Sequence, residues 1–215
     1  RLGRLHHVAT PLRRRRLRRQ IARVMGPGTG KAEVRGWLYK AYRINDRAVL
    51  EVIAQARAAV ARRELIDSVD ITGAESLLAR AESGQGAVLM GMHAGNVFAL
   101  LLALDRLGVP ITVVAYESHK SPSAFFHKLF RDSGVKVVDA RPEFAAFYHL
   151  DKALKRGRMT FIAIDQINRQ GGIPTRFLGK QVHMPPGAAT LARKYDVPVF
   201  PVLLDAAEPR WTFRI

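Results

Sequence analysis

The sequence predicts an α/β fold: a mostly parallel mixed sheet flanked by helices and preceded by a helical N-terminal region. Three observations predict it. After residue 80, apolar runs of four to eight residues alternate with amphipathic stretches, the pattern of strands joined by crossover helices. Before residue 80, apolar residues recur at helical spacing. The chain has 215 residues and is 48% hydrophobic, enough to bury a full core, and its length favours one large domain. Residues 1–80 are expected to form a strongly basic helical region and residues 81–215 the α/β core, within one compact unit.

The first helix is expected over residues 12–25, where Leu17, Ile21 and Val24 fall at i, i+4 and i+7 among arginines. Gly26-Pro27-Gly28-Thr29-Gly30 ends it. A second helical block runs from Lys31 to Ala61, with Trp37, Leu38, Tyr42, Val49, Ile53 and Val60 as inward residues. A third is expected from Asp70 to Ser83, with Thr72 as its N-cap. Strands follow at Ala87–Met92, Ile111–Tyr116, Val135–Val138, Met159–Ile164, Val197–Leu204 and from Trp211 onward. Helices fall between them at Asn96–Leu107, Ser123–Ser133, Phe144–Lys155 and Gly187–Tyr195. The chain opens on Arg1 rather than Met and stops within the strand-like run Trp211–Ile215, so it reads as an incomplete chain.

Net charge is +17, from 35 Lys+Arg against 18 Asp+Glu. Residues 1–25 hold nine arginines and no acid, so the excess is concentrated at the start. Three partners answer such a field: nucleic acid, an anionic membrane surface or an acidic carrier protein. A basic amphipathic helix suits an interfacial position on anionic lipid, and it is equally compatible with a surface helix whose arginine stems cover a core. No interleaved aromatics or recognised nucleic-acid motif accompany the arginines, so nucleic acid is not expected as a partner. The absence of cysteine excludes disulfides and thiolate metal sites and fits a reducing compartment. The longest apolar run, Val97 to Leu104, is far short of the ~20 residues that span a bilayer. No carboxylate pair or Cys/His cluster supports a metal, and no bound cofactor is expected.

The stretch Gly91-Met92-His93-Ala94-Gly95-Asn96 carries the most chemical information. A buried strand delivers a histidine to its carboxyl end, and a small-residue turn then starts a helix. In open α/β sheets that edge is where ligands bind. A histidine there suits general-base work, because its unperturbed pKa lies near neutrality. Gly95 lets a substrate or backbone approach closely, and Asn96 can cap a helix whose free N–H groups favour an anionic oxygen. By composition alone, a structural histidine is the alternative.

The same stretch resembles the "G…H-F-G-N-W-E" signature of the bacterial lipid A biosynthesis (Kdo/lauroyl) acyltransferases, within the wider H-x4-D/E glycerolipid acyltransferase superfamily. Further blocks fall in the same order. Arg131 with Gly134-Val135 resembles "R-x-x-G-v"; Leu154 to Gly157 followed by Asp165-Gln166 resembles "L-k-x-G…DQ". Ile173 to Gly179 resembles "v-x-v-p-F-f-G", Pro186-Gly187-Ala188 with Leu191-Ala192 resembles "t-p-x-G-x-a-x-l-A", and Val197 to Pro201 resembles "a-p-v-v-P". The likeness runs from about Arg13 to Ile215 and is weak before residue 80. It implies a peripheral enzyme on the cytoplasmic face of the bacterial inner membrane. Such an enzyme moves a fatty acyl group from an acyl carrier protein or coenzyme A thioester to a hydroxyl or amine of a lipid or glycolipid. Residues 1–80 would then be membrane-proximal.

One position departs from the signature: where it has an acid, five residues after the histidine, this chain has Phe98. In the family that carboxylate orients the imidazole and stabilises its cation, as the aspartate does in a serine-protease triad. Asp165, at the end of an expected strand, is the first candidate to replace it, and Glu117, at the end of ITVVAY, the second. The expected catalytic set is therefore His93, Asp165 and Asn96. Gly95, Phe98, Glu117, Arg131, Arg176 and Gly187 are expected to face substrate, with Phe98 read as core unless, as the resemblance implies, it lines an acyl-chain groove; the two arginines suit anionic groups because a guanidinium makes two parallel bonds. Phe98 also motivates an alternative, a catalytically degenerate fold that binds lipid or a partner enzyme. A carboxylate within hydrogen-bond reach of the His93 ring favours catalysis; none near it favours binding.

Overall fold

A computed structural model describes residues 10–115, 123–130, 132–139, 143–165 and 172–215. The N-terminal region is helical: α1 spans Pro11–Met25, α2 Lys31–Arg57 and α3 Ala59–Asp67. Proline at the first helical position starts α1, and Gly26, at φ +94°, ends it. Of the inward residues expected in the block from Lys31 to Ala61, Leu38 and Tyr42 are buried. Trp37, Val49, Ile53 and Val60 are instead exposed, because helical periodicity names a stripe and not the partner that covers it. The expected continuous block also breaks at Ala58, which is extended.

In place of the helix expected from Asp70 to Ser83, the chain forms strand β1, Val69–Thr72, then α4, Glu75–Glu82. Thr72 closes the strand instead of capping a helix. Pairing decides this: β1 lies parallel to β10, Trp211–Arg214, at the far end of the chain. Beyond α4 the elements are β2 Ala87–Gly91, α5 Val97–Arg106, β3 Ile111–Ala115, α6 Ser123–Leu129, β4 Lys136–Asp139, α7 Glu143–Lys155 and β5 Met159–Ala163. A hairpin of β6 Ile173–Phe177 and β7 Lys180–Met184 precedes α8 Gly187–Tyr195, β8 Val199–Pro201 and β9 Leu203–Ala206. The expected strand Val197–Leu204 is two strands in two sheets, parted at Val202, whose N–H donates to Met90 O at 2.8 Å.

The main sheet is all parallel, in the order β4-β3-β5-β2-β8. A three-stranded sheet, β1-β10-β9, and the β6-β7 hairpin accompany it. The central strand β2 is apolar on both faces and β5 nearly so, with the buried Thr160 its polar residue, as suits a doubly covered parallel sheet. On one face Ala87, Leu89, Met159 and Phe161 join α5 in the larger core; on the other, Val88 and Ile162 meet α7 and α8. Helix α5 is apolar all round and buried from Ala99 to Leu104, each leucine contributing about 1.5–3 kcal/mol relative to exposure. The β6-β7 hairpin is not among the elements the sequence predicts. Its turn residues Leu178 and Gly179 both have positive φ, +49° and +74°, the two-residue geometry that twists a hairpin correctly. Leucine there hides the usual Asn-Gly signal.

The second face carries an ionic clamp. Asp151 of α7 accepts from Lys194 of α8 at 2.8 Å and pairs with Lys155 at 3.0 Å. The bond from Lys194, and then that from Lys155, holds its carboxyl below the usual carboxylate range. The unfolded chain therefore takes up this proton more readily than the folded one. The clamp stabilises above the unfolded pKa of about 3.9 and loses its effect as pH falls through the lower folded value. Asp151→Asn is expected to melt below wild type at pH 7, with the two curves converging below about pH 3. An undiminished gap in acid would assign the effect to packing instead. Both lysines are more than half exposed, so solvent screening keeps the effect modest.

Candidate active site

The register of the main sheet brings the site together. Strands β2 and β5 are neighbours, with Gly91 opposite Ala163 at their carboxyl ends, and Ile164 N–H extends the ladder to Gly91 O at 2.9 Å. His93 and Asp165 each lie two residues beyond these partners and so emerge side by side. The chain leaves β2 through α5 on one face to reach β3, beyond β5. It returns from β5 through α8 on the opposite face to reach β8, beyond β2. The two connections part at the β2/β5 pair, the position where open α/β sheets bind ligands.

Asp165 holds His93 at two points. Its Oδ2 accepts the His93 backbone N–H at 3.0 Å, and its Oδ1 lies 2.8 Å from ring Nδ1. An ionised carboxylate only accepts, so the ring donates to it through Nδ1, and in the neutral imidazole Nε2 is then the nitrogen with the lone pair. Nε2 has no hydrogen-bond partner among the described residues. The His93 side chain is 48% exposed and that of Asp165 32%, so the pair is open to an incoming group. An oriented imidazole with a free basic nitrogen can take a proton from a hydroxyl and return it to a leaving group.

The turn after His93 is built for close packing. Gly95 has φ +63°, and a Cβ there would lie 2.9 Å from the Trp211 ring and 3.0 Å from Leu204. The close approach expected at Gly95 is thus made by a side chain of the protein itself. Asn96 is fully buried: its Oδ1 caps α5 by accepting from Ala99 N–H at 3.1 Å, and its Nδ2 donates to Glu51 at 3.1 Å. The capping expectation agrees with this geometry. Facing a reacting oxygen does not, because the amide is turned inward and engaged at both ends. Phe98, half-buried on α5, packs against the larger core, its ring 6.0 Å from that of Phe130.

Arg176 lies exposed on β6, opposite Gln181 of the hairpin, and no contact joins it to the His93–Asp165 pair among the described residues. Gly187 starts α8 with open space around its Cβ position. Glu117 and Arg131 lie outside the described residues. Among the described residues no group of three or more His, Asp or Glu side chains could hold a metal ion. Glu51 is the residue that sequence reading missed. It sits mid-helix on α2, where a lone acid reads as surface charge, and no local signal marks it.

Comparison with known sequences bears on this geometry. The sequence profile described as bacterial lipid A biosynthesis acyltransferase matches residues 1–215, the whole chain. A search of curated proteins finds no match.

Proposed function

Since the chain belongs to the bacterial lipid A biosynthesis acyltransferase family, we propose that it is an acyltransferase in which His93 is the general base and Asp165 orients it. The donor is an acyl carrier protein or coenzyme A thioester, and the acceptor a hydroxyl or amine of a lipid or glycolipid. His93 Nε2 takes the acceptor's proton as its oxygen or nitrogen attacks the thioester carbonyl carbon. The tetrahedral oxyanion is met by N–H groups of the turn and the first turn of α5, whose dipole favours negative charge. Collapse breaks the carbon–sulfur bond, and the imidazolium returns the proton to the leaving thiolate. Asp165 stabilises the imidazolium in between.

The observation that carries this reading is the 2.8 Å contact between His93 Nδ1 and a carboxylate from outside the motif. It favours catalysis over the purely binding role that Phe98 raises. The test is a transfer assay with purified protein, acyl carrier or coenzyme A thioesters and candidate lipid acceptors, following release of free thiol. No release with any donor and acceptor pair would turn the reading toward binding.

In the same proposal the enzyme works as a peripheral protein on the cytoplasmic face of the inner membrane. Among the described residues no helix is long and apolar enough to cross a membrane. On α1, Arg15, Arg16, Arg19 and Arg23 share one exposed helix face with Leu12, which is 84% exposed. A cation near an anionic bilayer contributes about 1 kcal/mol. Changing these four arginines to glutamate is expected to weaken binding to phosphatidylglycerol vesicles by roughly tenfold or more, measured by co-sedimentation. Equal binding by both proteins would move the docking surface elsewhere.

A further inference from the structure

Glu51 gathers three donors from three parts of the chain. Its Oε1 accepts from Arg47 Nε, one turn earlier on α2, at 2.7 Å. Its Oε2 accepts from Asn96 Nδ2 at 3.1 Å and from Trp211 Nε1 at 2.5 Å. Arg47 also donates to Ala207 O at 2.6 Å, and its guanidinium lies over the Trp211 ring at 4.6 Å. The Glu51 side chain is 16% exposed. Only a carboxylate suits this node, because it accepts at every lone pair and donates nothing. An amide of the same shape would offer one oxygen and turn an NH2 toward a donor.

These bonds converge on the segment that carries His93. Asn96 ends the turn and caps α5; Trp211 lies against Gly95, where its ring leaves no room for a Cβ. Asp165 therefore holds His93 from one side of the turn, and Glu51 holds the other end of the turn through Asn96 and Trp211. We infer that Glu51 is a positioning residue for the reaction: it acts through Asn96 and Trp211 to set where the His93 turn sits above the sheet edge. This rests on the reading of His93 as the general base. Placement matters because a 1 Å error at a reacting group costs about 10²-fold in rate.

The test is a donor–acceptor exchange. Glu51→Gln is expected to lower kcat about tenfold while KM stays within about twofold, at a temperature well below its melting point. Asn96→Asp keeps the cap but sets carboxylate against carboxylate, and is expected to lose a similar factor. The double variant Glu51→Gln/Asn96→Asp again sets a donor against an acceptor at position 96, but the Trp211 N–H shares that corner of the node and then faces the introduced NH2, so the variant is expected to recover only part of the kcat lost in Asn96→Asp. The His93 ring resonances in 15N-histidine spectra give a second readout that needs no substrate. They are expected to move in each single variant and to return partway in the double. If no acyl transfer is found for wild type, the spectra still decide the positioning claim. If Glu51→Gln fails to fold, the comparison of Asn96→Asp with the double variant decides it. Single variants that melt lower yet keep kcat and the His93 spectrum, or a double variant no better than Asn96→Asp, would overturn the inference.

Discussion

Replacing His93 with alanine is expected to lower acyl transfer by about 10²–10⁴-fold, the range a positioned general base supplies. The loss should fall on kcat, because the imidazole acts on a proton that moves only as the acceptor attacks. The side chain is half in solvent and makes its bonds to Asp165 alone among the described residues, so the fold should survive the change. Residual transfer would come from binding and from N–H groups near the oxyanion. Steady-state thiol release with saturating thioester, alongside a thermal melt, measures both. Transfer that continues at the wild-type rate in a folded His93→Ala protein would remove His93 from the mechanism.

Asp165→Asn is expected to cost about 10–10²-fold in kcat with KM little changed. Two losses combine. The carboxylate accepts the His93 ring N–H at one oxygen and the backbone N–H at the other. An amide has one oxygen, so one of those donors would face an NH2 group. The amide also carries no charge to stabilise the imidazolium. The loss is expected to be smaller than the ~10⁴-fold seen where the aspartate of a triad is buried, because here water reaches both partners and screens the pair. A variant as active as wild type would show that the pair is structural.

Much of this site was legible in the chain. Val88 and Leu89 are apolar on adjacent positions, which marks β2 as covered on both faces. The glycine-rich turn after it and the apolar run from Val97 to Leu104 mark a strand-turn-helix unit with His93 at the sheet edge. Asp165 stands out in the sequence because it too ends a strand. That the two touch was not legible: it requires β5 to insert between β3 and β2, an order that no local pattern encodes. The same limit explains β1. VDIT has apolar residues in alternation, yet over four residues it is indistinguishable from the start of the helix that follows until β10 pairs with it. It also explains Glu51, whose role exists only because Trp211 and Asn96 arrive from elsewhere.

The sequence by itself determined the α/β class, the basic helical start, the strand that delivers His93 and the family to which the chain belongs. These follow from residue type and spacing along a few turns or strands, which the chain carries locally. The tertiary structure alone decided which carboxylate meets His93 and that Asn96 faces inward to Glu51. Each depends on strand order, register and the closing of the chain's end onto its beginning, which are set by long-range pairing and burial.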